Sequence, residues 1–354
     1  MSTRIDIYSM TPEELADYFV SIGEPKFRAK QLFPRLHRGE RISEITNLSK
    51  ALRARLEGEI LDTLPTVEQK LVSKIDGTVK YLFRLHDGSC IESVLMKYKH
   101  GNSLCISSQV GCYMGCKFCA STIGGKERDL LPSEMLGQVL MAQRDSGERV
   151  SNIVMMGIGE PLDNFDNVVR FLRLVNHPDG INIGYRHISL STCGVVPGIY
   201  KLAEVDLPIT LSISLHASND EKRTAIMPVN KKWKIAELLT ACVDYYKTTE
   251  RRISFEYTLI SGKNDSISDA EELAALLNGA FRNTGAPIHV NLIRVNEVAE
   301  TGFKKGSTES VNTFAKTLEN RGITATVRRR LGSDVNAACG QLRRSGMNKT
   351  TESE

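Results

Sequence analysis

The sequence has no long apolar segment. Among its 354 residues there is no apolar run of about 18 residues, the length that a membrane-spanning helix needs, and there is no signal-peptide pattern. Neither membrane spanning nor secretion is therefore expected. We expect a cytoplasmic protein that has no membrane partner and is a monomer.

A large excess of positive charge is also absent. The net charge is only +4, which is below the basic signature of a dedicated nucleic-acid-binding protein. Short basic groups could still contact phosphates, with Tyr98 and Trp233 available for base stacking. These groups occupy residues 97–100, 231–234, 328–330 and 343–344. Each group alone is more typical of a solvated surface, so together they only permit an RNA partner.

Internal repeats and low-complexity segments are missing as well. A chain of 354 residues with 41% apolar content is long enough for one barrel-sized domain and an appendage. Only the end of the chain, residues 345–354, is polar throughout, and we expect it to be disordered. The rest should form packed structure.

Cysteine is present in a pattern that stops at three. Cys112, Cys116 and Cys119 form a C-x3-C-x2-C segment with no fourth thiol nearby. Structural zinc and ordinary electron-transfer 4Fe-4S clusters take four protein ligands, so three thiols leave one metal position open for a substrate. There are two alternatives to this interpretation. The three thiols could bind zinc with a remote fourth ligand, or they could simply be buried in the core.

The chain has eight cysteines in all, and without an export signal they indicate metal or catalytic chemistry and not a disulfide framework. Three of them have no partner pattern and are predicted to be core thiols: Cys90, Cys193 and Cys242.

Residues 1–64 are predicted to form a small helical accessory domain that contacts RNA. The Thr-Pro-Glu-Glu segment at 11–14 is a helix start signal. An apolar stripe follows at Phe27, Leu32 and Leu36, with an interruption at Pro34. Residues 65–98 are predicted to form a connecting β-hairpin, because strand patterns at 80–85 and 89–94 flank an Asp-Gly turn.

From residue 99 to residue 344 we expect the main domain. Strand and helix patterns alternate there, which favours a parallel sheet with crossover helices. The predicted strands are 102–108, 151–156, 186–191, 209–215, 253–259, 288–293 and 323–328. The predicted helices are 133–145, 164–175, 235–248, 268–280 and 309–320. The fold class is therefore α/β, and the expected architecture is a partial (βα)6, TIM-like barrel.

Polar and glycine residues follow several of these strands. The second strand is followed by Gly-Ile-Gly-Glu-Pro at 157–161, where the glycines would let the backbone approach a ligand and Glu160 could accept from an ammonium group. Ser191, Ser214, His216 and Asn296 follow later strands. Because parallel barrels place their chemistry at the carboxyl ends of the strands, these residues and the cysteine loop predict one ligand crevice.

Four further segments are distinctive: Cys-Ile-Ser-Ser-Gln-Val-Gly-Cys at 105–112, Gly-Glu-Pro-Leu at 159–162, Ser-Leu-His at 214–216 and Ala-Ala-Cys-Gly-Gln-Leu at 337–342. Together they resemble the RlmN/Cfr family of radical S-adenosylmethionine (SAM) RNA methyltransferases. The resemblance covers nearly the whole chain. Residues 27–31 also resemble the helical N-terminal domain of this family, although the sequence departs from the family pattern at residues 34–35. The resemblance to this family implies that the main domain is a radical SAM barrel.

The resemblance implies a role for individual residues. Cys112, Cys116 and Cys119 would hold a 4Fe-4S cluster whose fourth iron is chelated by SAM, and Phe118 would lie near the adenine. Seven residues match positions that contact SAM: Gly159, Glu160, Ser191, Ser214, Leu215, His216 and Asn296. Three match catalytic positions: Cys339 would be methylated, Cys105 would be its partner, and Glu92 would accept a proton.

The implied reaction uses two SAM molecules per turnover. One methylates Cys339, and the second gives the 5′-deoxyadenosyl radical that abstracts hydrogen from the S-methyl group. The methylene radical then adds to the electrophilic C2 of an adenine. Either Cys105 or Glu92 takes the C2 proton, and a transient disulfide between Cys105 and Cys339 releases the base and is later reduced.

The implied substrates are an adenosine in the peptidyl-transferase region of 23S rRNA, in protein-free or early assembly form, and adenosine 37 of tRNA. A reductant such as flavodoxin or ferredoxin would be a further partner. The Gly-Glu-Pro-Leu motif is RlmN-like, whereas Cfr-type enzymes, which methylate C8 and confer antibiotic resistance, typically have alanine in place of this proline. A Cfr-like enzyme is one alternative. A non-catalytic iron–sulfur or zinc RNA-binding module is a more distant one.

Overall fold

The computed structural model describes residues 4–295 and 302–335. The N-terminal part is helical, with α1 at Pro12–Ser21, α2 at Arg28–Leu36 and α3 at Lys50–Glu59. Thr11 caps α1 as predicted, because its hydroxyl accepts from the Glu14 N–H at 3.3 Å and the Glu14 carboxylate accepts from the Thr11 N–H at 2.9 Å. This reciprocal capping satisfies two of the free amide groups at the helix start.

Helix α2 differs from its prediction in two ways. Pro34 lies inside the helix, which continues for two more residues to Leu36, so the predicted interruption at Pro34 is wrong. Leu32 and Leu36 are buried as predicted, but Phe27 is 50% exposed. Phe27 precedes the first residue of α2, and the buried residues of the helix are Ala29, Leu32, Phe33 and Leu36.

Within the described residues, ten strands form one sheet in the order β1-β2-β3-β4-β7-β8-β9-β10-β11-β12, and β5 and β6 form a separate ribbon. The first six strands are β1 Thr66–Val72, β2 Val79–Arg84, β3 Cys90–Met96, β4 Asn102–Cys105, β5 Gln109–Gly111 and β6 Lys126–Asp129. The others are β7 Val150–Met155, β8 Ile188–Thr192, β9 Thr210–Ser214, β10 Ile253–Leu259, β11 His289–Arg294 and β12 Thr324–Val327.

The parallel part of the sheet is the predicted barrel. Strand β4 pairs in parallel with β7, and the parallel order continues through β12. The helices that follow are α4 Pro132–Ser146, α5 Phe165–Asn176, α6 Val196–Val205, α7 Asp220–Ile226, α8 Ile235–Thr249, α9 Ile267–Ala280 and α10 Thr308–Asn320. The α/β class and the partial (βα)6 architecture are therefore confirmed. Helices α6 and α7, strand β1 and the β5–β6 ribbon were not predicted.

The predicted hairpin is present and is part of the same sheet. Strands β2 and β3 are antiparallel, with Gly88 at φ +88° in the turn. Strand β1 pairs with β2, and β3 pairs with β4. The antiparallel strands therefore extend the barrel sheet directly.

Alternate residues of the parallel strands have different surroundings. In β10, Phe255 and Tyr257 are buried in the apolar core, whereas Glu256 and Thr258 line a cavity. Strands β8 and β9 repeat this pattern, since leucine and isoleucine pack in the core and serines alternate with them. Successive side chains of a strand point to opposite faces, so one face of this sheet packs on helices and the other forms a polar interior.

The helical N-terminal region packs on the outside of the barrel. Its apolar residues belong to the same core cluster as those of the sheet and its helices. The Ser133 hydroxyl donates to Asp6 at 2.7 Å, and Arg144 pairs with Glu44 at 2.7 Å. Both contacts lie on α4, which also carries Gln138 inward, where its side-chain oxygen accepts from the Ser107 N–H at 2.8 Å just after β4. In the described part of the chain, no helix has the length and apolar character needed to cross a membrane.

Candidate functional site

The cysteine loop is held by the β5–β6 ribbon. The Cys112 N–H donates to the Gly125 carbonyl at 2.9 Å. Gly111 has φ +80°, and a Cβ atom there would lie 2.0 Å from the same carbonyl oxygen. Only glycine fits this position, because both the backbone conformation and the close approach exclude a side chain. The first cysteine is thereby fixed against the ribbon.

All three cysteines of the loop line one cavity of about 210 Å³ at the carboxyl ends of the parallel strands. Cys112 and Cys116 are buried, and Cys119 is half-buried. Burial raises the pKa of the Cys112 thiol to about 12. Burial also raises the pKa of the Cys116 thiol, and the nearby Cys119 and Cys112 raise it further. Without a metal the site therefore favours neutral thiols.

The arrangement of these thiols separates two of the predicted alternatives. In the described residues, no group of three His, Cys, Asp or Glu side chains is placed to hold a single metal ion. Zn–S bonds of about 2.3 Å would require three thiolates to converge on one point. A 4Fe-4S cluster takes one thiolate per iron, and three thiols that line one cavity suit it. The donor set fits a cluster.

The segment 157–161 forms another wall of this cavity. Gly157 and Gly159 both line the cavity, but each also packs closely against another part of this chain. A Cβ atom added at Gly157 would lie 2.5 Å from the Ile106 carbonyl oxygen, and one added at Gly159 would lie 2.6 Å from the Gln109 side chain. The glycines are therefore needed for packing as well as for any approach of a ligand.

Glu160 is buried at the cavity wall. Its carboxylate accepts from the Leu162 N–H at 3.0 Å and the Cys193 N–H at 2.8 Å. Burial raises the pKa of Glu160, while these hydrogen bonds act in the opposite direction. The two N–H donors fix the orientation of the carboxylate, which remains part of the cavity lining. It is placed to accept from a cationic ligand.

Ser191 and Ser214 lie at the ends of β8 and β9, with their hydroxyl oxygens 3.5 Å apart, and both line the cavity. Leu215 differs from these predicted neighbours, because it is fully buried and its side chain packs in the apolar core. Its backbone is engaged, since its N–H donates to the Glu256 carbonyl at 3.1 Å and its carbonyl accepts from Arg223 at 3.1 Å.

His216 combines a left-handed backbone with a buried ring. Its φ is +58°, which is uncommon for a residue other than glycine. Its Nδ1 atom accepts from the Thr258 N–H at 3.0 Å, so the neutral ring carries its proton on Nε2. Burial lowers the pKa of His216 to about 3. The ring of Phe118 meets it edge-on with centroids 5.0 Å apart, and both rings line the cavity.

Glu92 and Cys105 lie on one face of the adjoining antiparallel strands. Cys105 is opposite Val94 in the register of β3 and β4, and Glu92 is two residues from Val94, so their side chains share a face. The Glu92 carboxylate pairs with Lys80 at 3.1 Å, and both side chains are almost completely buried. Met156, which lines the cavity, also packs in the cluster that contains Cys105.

Several predictions fall elsewhere. Asn296, Cys339 and residues 343–354 lie outside the described residues. Cys242 is a core thiol as predicted. Cys193 is buried in an apolar cluster as predicted and also lines the cavity, whereas Cys90 is half-buried at the first position of β3 and is not a core thiol.

Four residues of the site region were not predicted. Gln109 connects three elements, because its amide donates to Asp129 and Asp163 and its carbonyl oxygen accepts from the Glu160 N–H. Lys80 and Arg223 are fully buried cations, and Glu256 is a buried carboxylate whose pKa burial raises. The only sequence signal for Glu256 was a charge in the middle of an apolar strand.

The sequence matches two family descriptions. Residues 106–277 match the radical SAM superfamily. Residues 5–61 match the N-terminal domain of ribosomal RNA large subunit methyltransferases. The first match contains the cysteine loop and strands β5 to β10, and the second contains α1 to α3.

Individual proteins are similar over almost the full length. A probable dual-specificity RNA methyltransferase RlmN from Alkaliphilus metalliredigens is 52% identical over 342 residues, which cover 96% of each chain. A protein of the same name from Lachnoclostridium phytofermentans is 51% identical over 356 residues, covering 100% of this chain and 98% of its own. A crystal structure of a radical SAM methyltransferase from Sphaerobacter thermophilus has a TM-score of 0.90 at 41% identity, and covers 95% of this chain and 98% of that one.

Proposed function

The chain belongs to the RlmN family of radical SAM RNA methyltransferases, and we propose that it methylates C2 of an adenosine in the peptidyl-transferase region of 23S rRNA and of adenosine 37 in tRNA. One observation carries the proposal. The three cysteines line the same cavity as Glu160, Ser191, Ser214 and His216 at the carboxyl ends of the parallel strands. Residues far apart in the sequence thus line a single cavity, which supports their assignment to one ligand site.

Cys112, Cys116 and Cys119 would hold the 4Fe-4S cluster, which supplies the electron for reductive cleavage of SAM when it is bound. The cavity residues would orient SAM. Glu160 presents a carboxylate that its two N–H donors hold in place, and such a group suits the amino group of SAM. The neutral ring of His216 and the ring of Phe118 offer a surface for the adenine. Asn296 belongs to the same proposed set.

Cys339, Cys105 and Glu92 would carry out the methyl transfer. Cys339 accepts the methyl group from a first SAM and delivers it to the base after a second SAM has activated it. Glu92 and Cys105 share one face of the sheet beside the cavity. Either would take the C2 proton. The sulfur of Cys105 would then bond to that of Cys339 as the carbon–sulfur bond to the base breaks, with one electron passing from the adduct radical back to the reducing system and the released carbon taking a proton from solvent. Lys80 holds the carboxylate of Glu92 in place.

The proposed substrate base must leave its stack to reach this interior, at a cost of roughly a few kcal/mol. Unpaired adenosines and RNA that is not covered by ribosomal proteins should therefore be preferred. We place the reaction in the cytoplasm, with a flavodoxin or ferredoxin as electron donor and the enzyme acting as a monomer. The helical N-terminal region, which is similar to a methyltransferase N-terminal domain, would contribute to RNA contact.

The test is anaerobic reconstitution with iron and sulfide, followed by incubation with SAM, reductant and RNA. The expected product is 2-methyladenosine, identified by nuclease digestion and mass spectrometry. Protein-free 23S rRNA fragments and tRNA should be methylated, and intact large subunits should react far more slowly. A Cys112→Ala variant is the matched control, since it should lose both the cluster and the product.

Other outcomes would redirect the assignment. Formation of 8-methyladenosine would identify a Cfr-like enzyme. Stoichiometric zinc with no cleavage of SAM would leave a non-catalytic RNA-binding module. Equal methylation of intact large subunits would contradict the requirement for an extruded base.

A further inference from the structure

Arg223 is the largest fully buried side chain of the described residues, with 0% exposure. It lies on α7, directly after β9, and its guanidinium group donates to two strand ends. Nε contacts the Leu215 carbonyl at 3.1 Å, and Nη2 contacts the carbonyls of Ser214 at 3.2 Å and Cys193 at 2.6 Å. These bonds join the end of β9 to the residue that follows β8.

The remaining contact is also neutral. Nη1 donates to the side-chain oxygen of Asn230 at 3.0 Å, and the amide nitrogen of Asn230 donates to Asp220 at 2.9 Å. The carboxylate of Asp220 is thus linked to Arg223 through an amide and not by a direct hydrogen bond. In the part of the chain that the structure describes, Arg223 forms no ion pair. A buried charge is normally paired or bound to a ligand of opposite sign.

The position of Arg223 points to the missing partner. The same helix ends at Ile226, whose carbonyl accepts from the Lys117 N–H of the cysteine loop at 2.9 Å. Cys116 packs in one apolar cluster with Ile226 and with Cys193, the residue whose carbonyl Arg223 contacts. Arg223 therefore lies one layer of residues beneath the cysteine loop, in surroundings that contain little water to screen its charge.

We propose that the guanidinium of Arg223 is the counter-charge of the iron–sulfur cluster, which it stabilises in the reduced form. This inference rests on the cluster proposed above. Three thiolates make a bound cluster anionic, and reduction adds one electron and therefore one further negative charge. A fixed positive charge nearby favours the more negative state, and net charge is one of the factors that set cluster potentials. Arg223 is then a positioning residue for the strand ends and also an electrostatic one for the cluster.

Two substitutions separate these roles. Arg223→Lys keeps the charge but gives up the fork of hydrogen bonds, whereas Arg223→Gln loses the charge and keeps an amide donor. Arg251→Gln is the matched control, because Arg251 also donates to a backbone carbonyl, that of Pro208 at 3.2 Å, but at the other end of the sheet. Each protein is reconstituted with iron and sulfide, and its cluster is titrated electrochemically with detection by electron paramagnetic resonance, without SAM or RNA.

We expect Arg223→Gln to lower the equilibrium constant for reduction about tenfold, which corresponds to a midpoint about 59 mV more negative for one electron. Arg223→Lys and Arg251→Gln should stay near the parent value. Equal shifts in Gln and Lys variants, or no shift in either, would overturn the inference. The iron content of each reconstituted variant is measured first. A cluster that is retained in Arg223→Lys but lost in Arg223→Gln supports the inference, and loss of the cluster in both variants contradicts it. A parent protein without a cluster would instead refute the proposed function.

Discussion

Two regions of the same sheet bury a cation, and they neutralise it differently. In the antiparallel region, Lys80 of β2 lies 3.1 Å from Glu92 of β3, with 1% and 3% of the side chains exposed. At the carboxyl ends of the parallel strands, Arg223 contacts only neutral acceptors. The first region contains both members of its ion pair. The second contains a charge that suits an anionic ligand.

This difference follows from what each region must do. The proposed proton acceptor, Glu92, has to be held in one position before the substrate arrives, and the ammonium group of Lys80 at 3.1 Å does that. A ligand site has to gain stability when its ligand binds, and an incompletely neutralised cation does that because the ligand completes the pair. Both arrangements also lower the stability of the fold, because the buried charges lose their hydration.

The largest expected effect comes from breaking the complete pair. Lys80→Met would leave the Glu92 carboxylate buried without its ammonium partner, and removal of one member of such a pair typically costs about 3–5 kcal/mol. Glu92→Gln should also destabilise, because it leaves Lys80 charged. The double variant Lys80→Met with Glu92→Gln buries neither charge and should recover much of the loss. Urea unfolding of the four proteins gives the coupling energy.

Additive effects in this cycle would show that the pair is not coupled as the distance indicates. Arg84→Met with Glu68→Gln provides the control pair on the neighbouring strands. Its members lie 2.8 Å apart but are 39% and 40% exposed, so its coupling should be no more than about 1 kcal/mol.

The architecture could be predicted from the sequence because its signals are local. Each parallel strand and most crossover helices are marked by apolar periodicity, and the Asp-Gly turn marks the hairpin. The alternation in β8, β9 and β10 is a further local signal. A parallel strand covered on both faces is nearly all apolar, so the polar residues Ser189 and Glu256 within these strands indicate the lining of a polar interior.

The missed features depend on contacts between distant residues. Nothing in the short apolar segment around Lys80 shows that Glu92 will lie beside it, because the pairing depends on strand register. Arg223 resembles any arginine on a surface helix until α7 packs beneath the cysteine loop. Helix α6 was missed because Pro197 and Gly198 near its start are turn signals, although proline is favourable in the first turn of a helix.

Histidines extend the comparison to the boundary between the helical region and the barrel. His37, on the helical side, is buried against Phe33 with ring centroids 4.1 Å apart, and its Nδ1 has no hydrogen-bond partner in the described residues. Burial lowers the pKa of His37 to about 3, with a smaller contribution from His177. Below about pH 6 the unfolded chain binds a proton that the folded protein does not, so stability falls as the pH falls.

The measurement is the pH dependence of unfolding free energy between pH 7 and pH 5 for the parent and for His37→Met. We expect the parent to lose up to about 1.4 kcal/mol per pH unit more than the variant below pH 6. His100→Met, at an exposed position, is the matched control for the loss of one histidine. Identical slopes in parent and His37→Met would show that His37 titrates freely in the folded protein. Burial raises the pKa of the carboxyl groups of Glu160 and Glu256, so their contribution to the pH dependence of stability has the opposite sign to that of His37. This contribution is the same in both proteins and cancels when their slopes are subtracted.

The smallest effect on stability is expected at the solvent-exposed contact between the helical N-terminal region and α4 of the barrel. Glu44 accepts from Arg144 at 2.7 Å, and the two side chains are 40% and 38% exposed. The hydrogen bonds from Arg144 and from the Arg41 N–H lower the pKa of Glu44 to about 2. Taken alone, such a depression suggests a strong interaction that would be lost as the pH falls towards 2. Water and salt screen an exposed pair, however, and such pairs contribute at most about 1 kcal/mol.

Glu44→Gln should therefore lower stability at pH 7 by less than about 1 kcal/mol, and the difference from the parent should shrink further at 1 M salt, where the screening length is about 3 Å. Thermal unfolding at low and high salt is sufficient to measure it. The Lys80–Glu92 coupling should keep most of its value under the same change of salt, because that pair is buried. A larger, salt-insensitive loss in Glu44→Gln would mean that this contact docks the helical region onto α4, and that solvent exposure does not distinguish the two pairs.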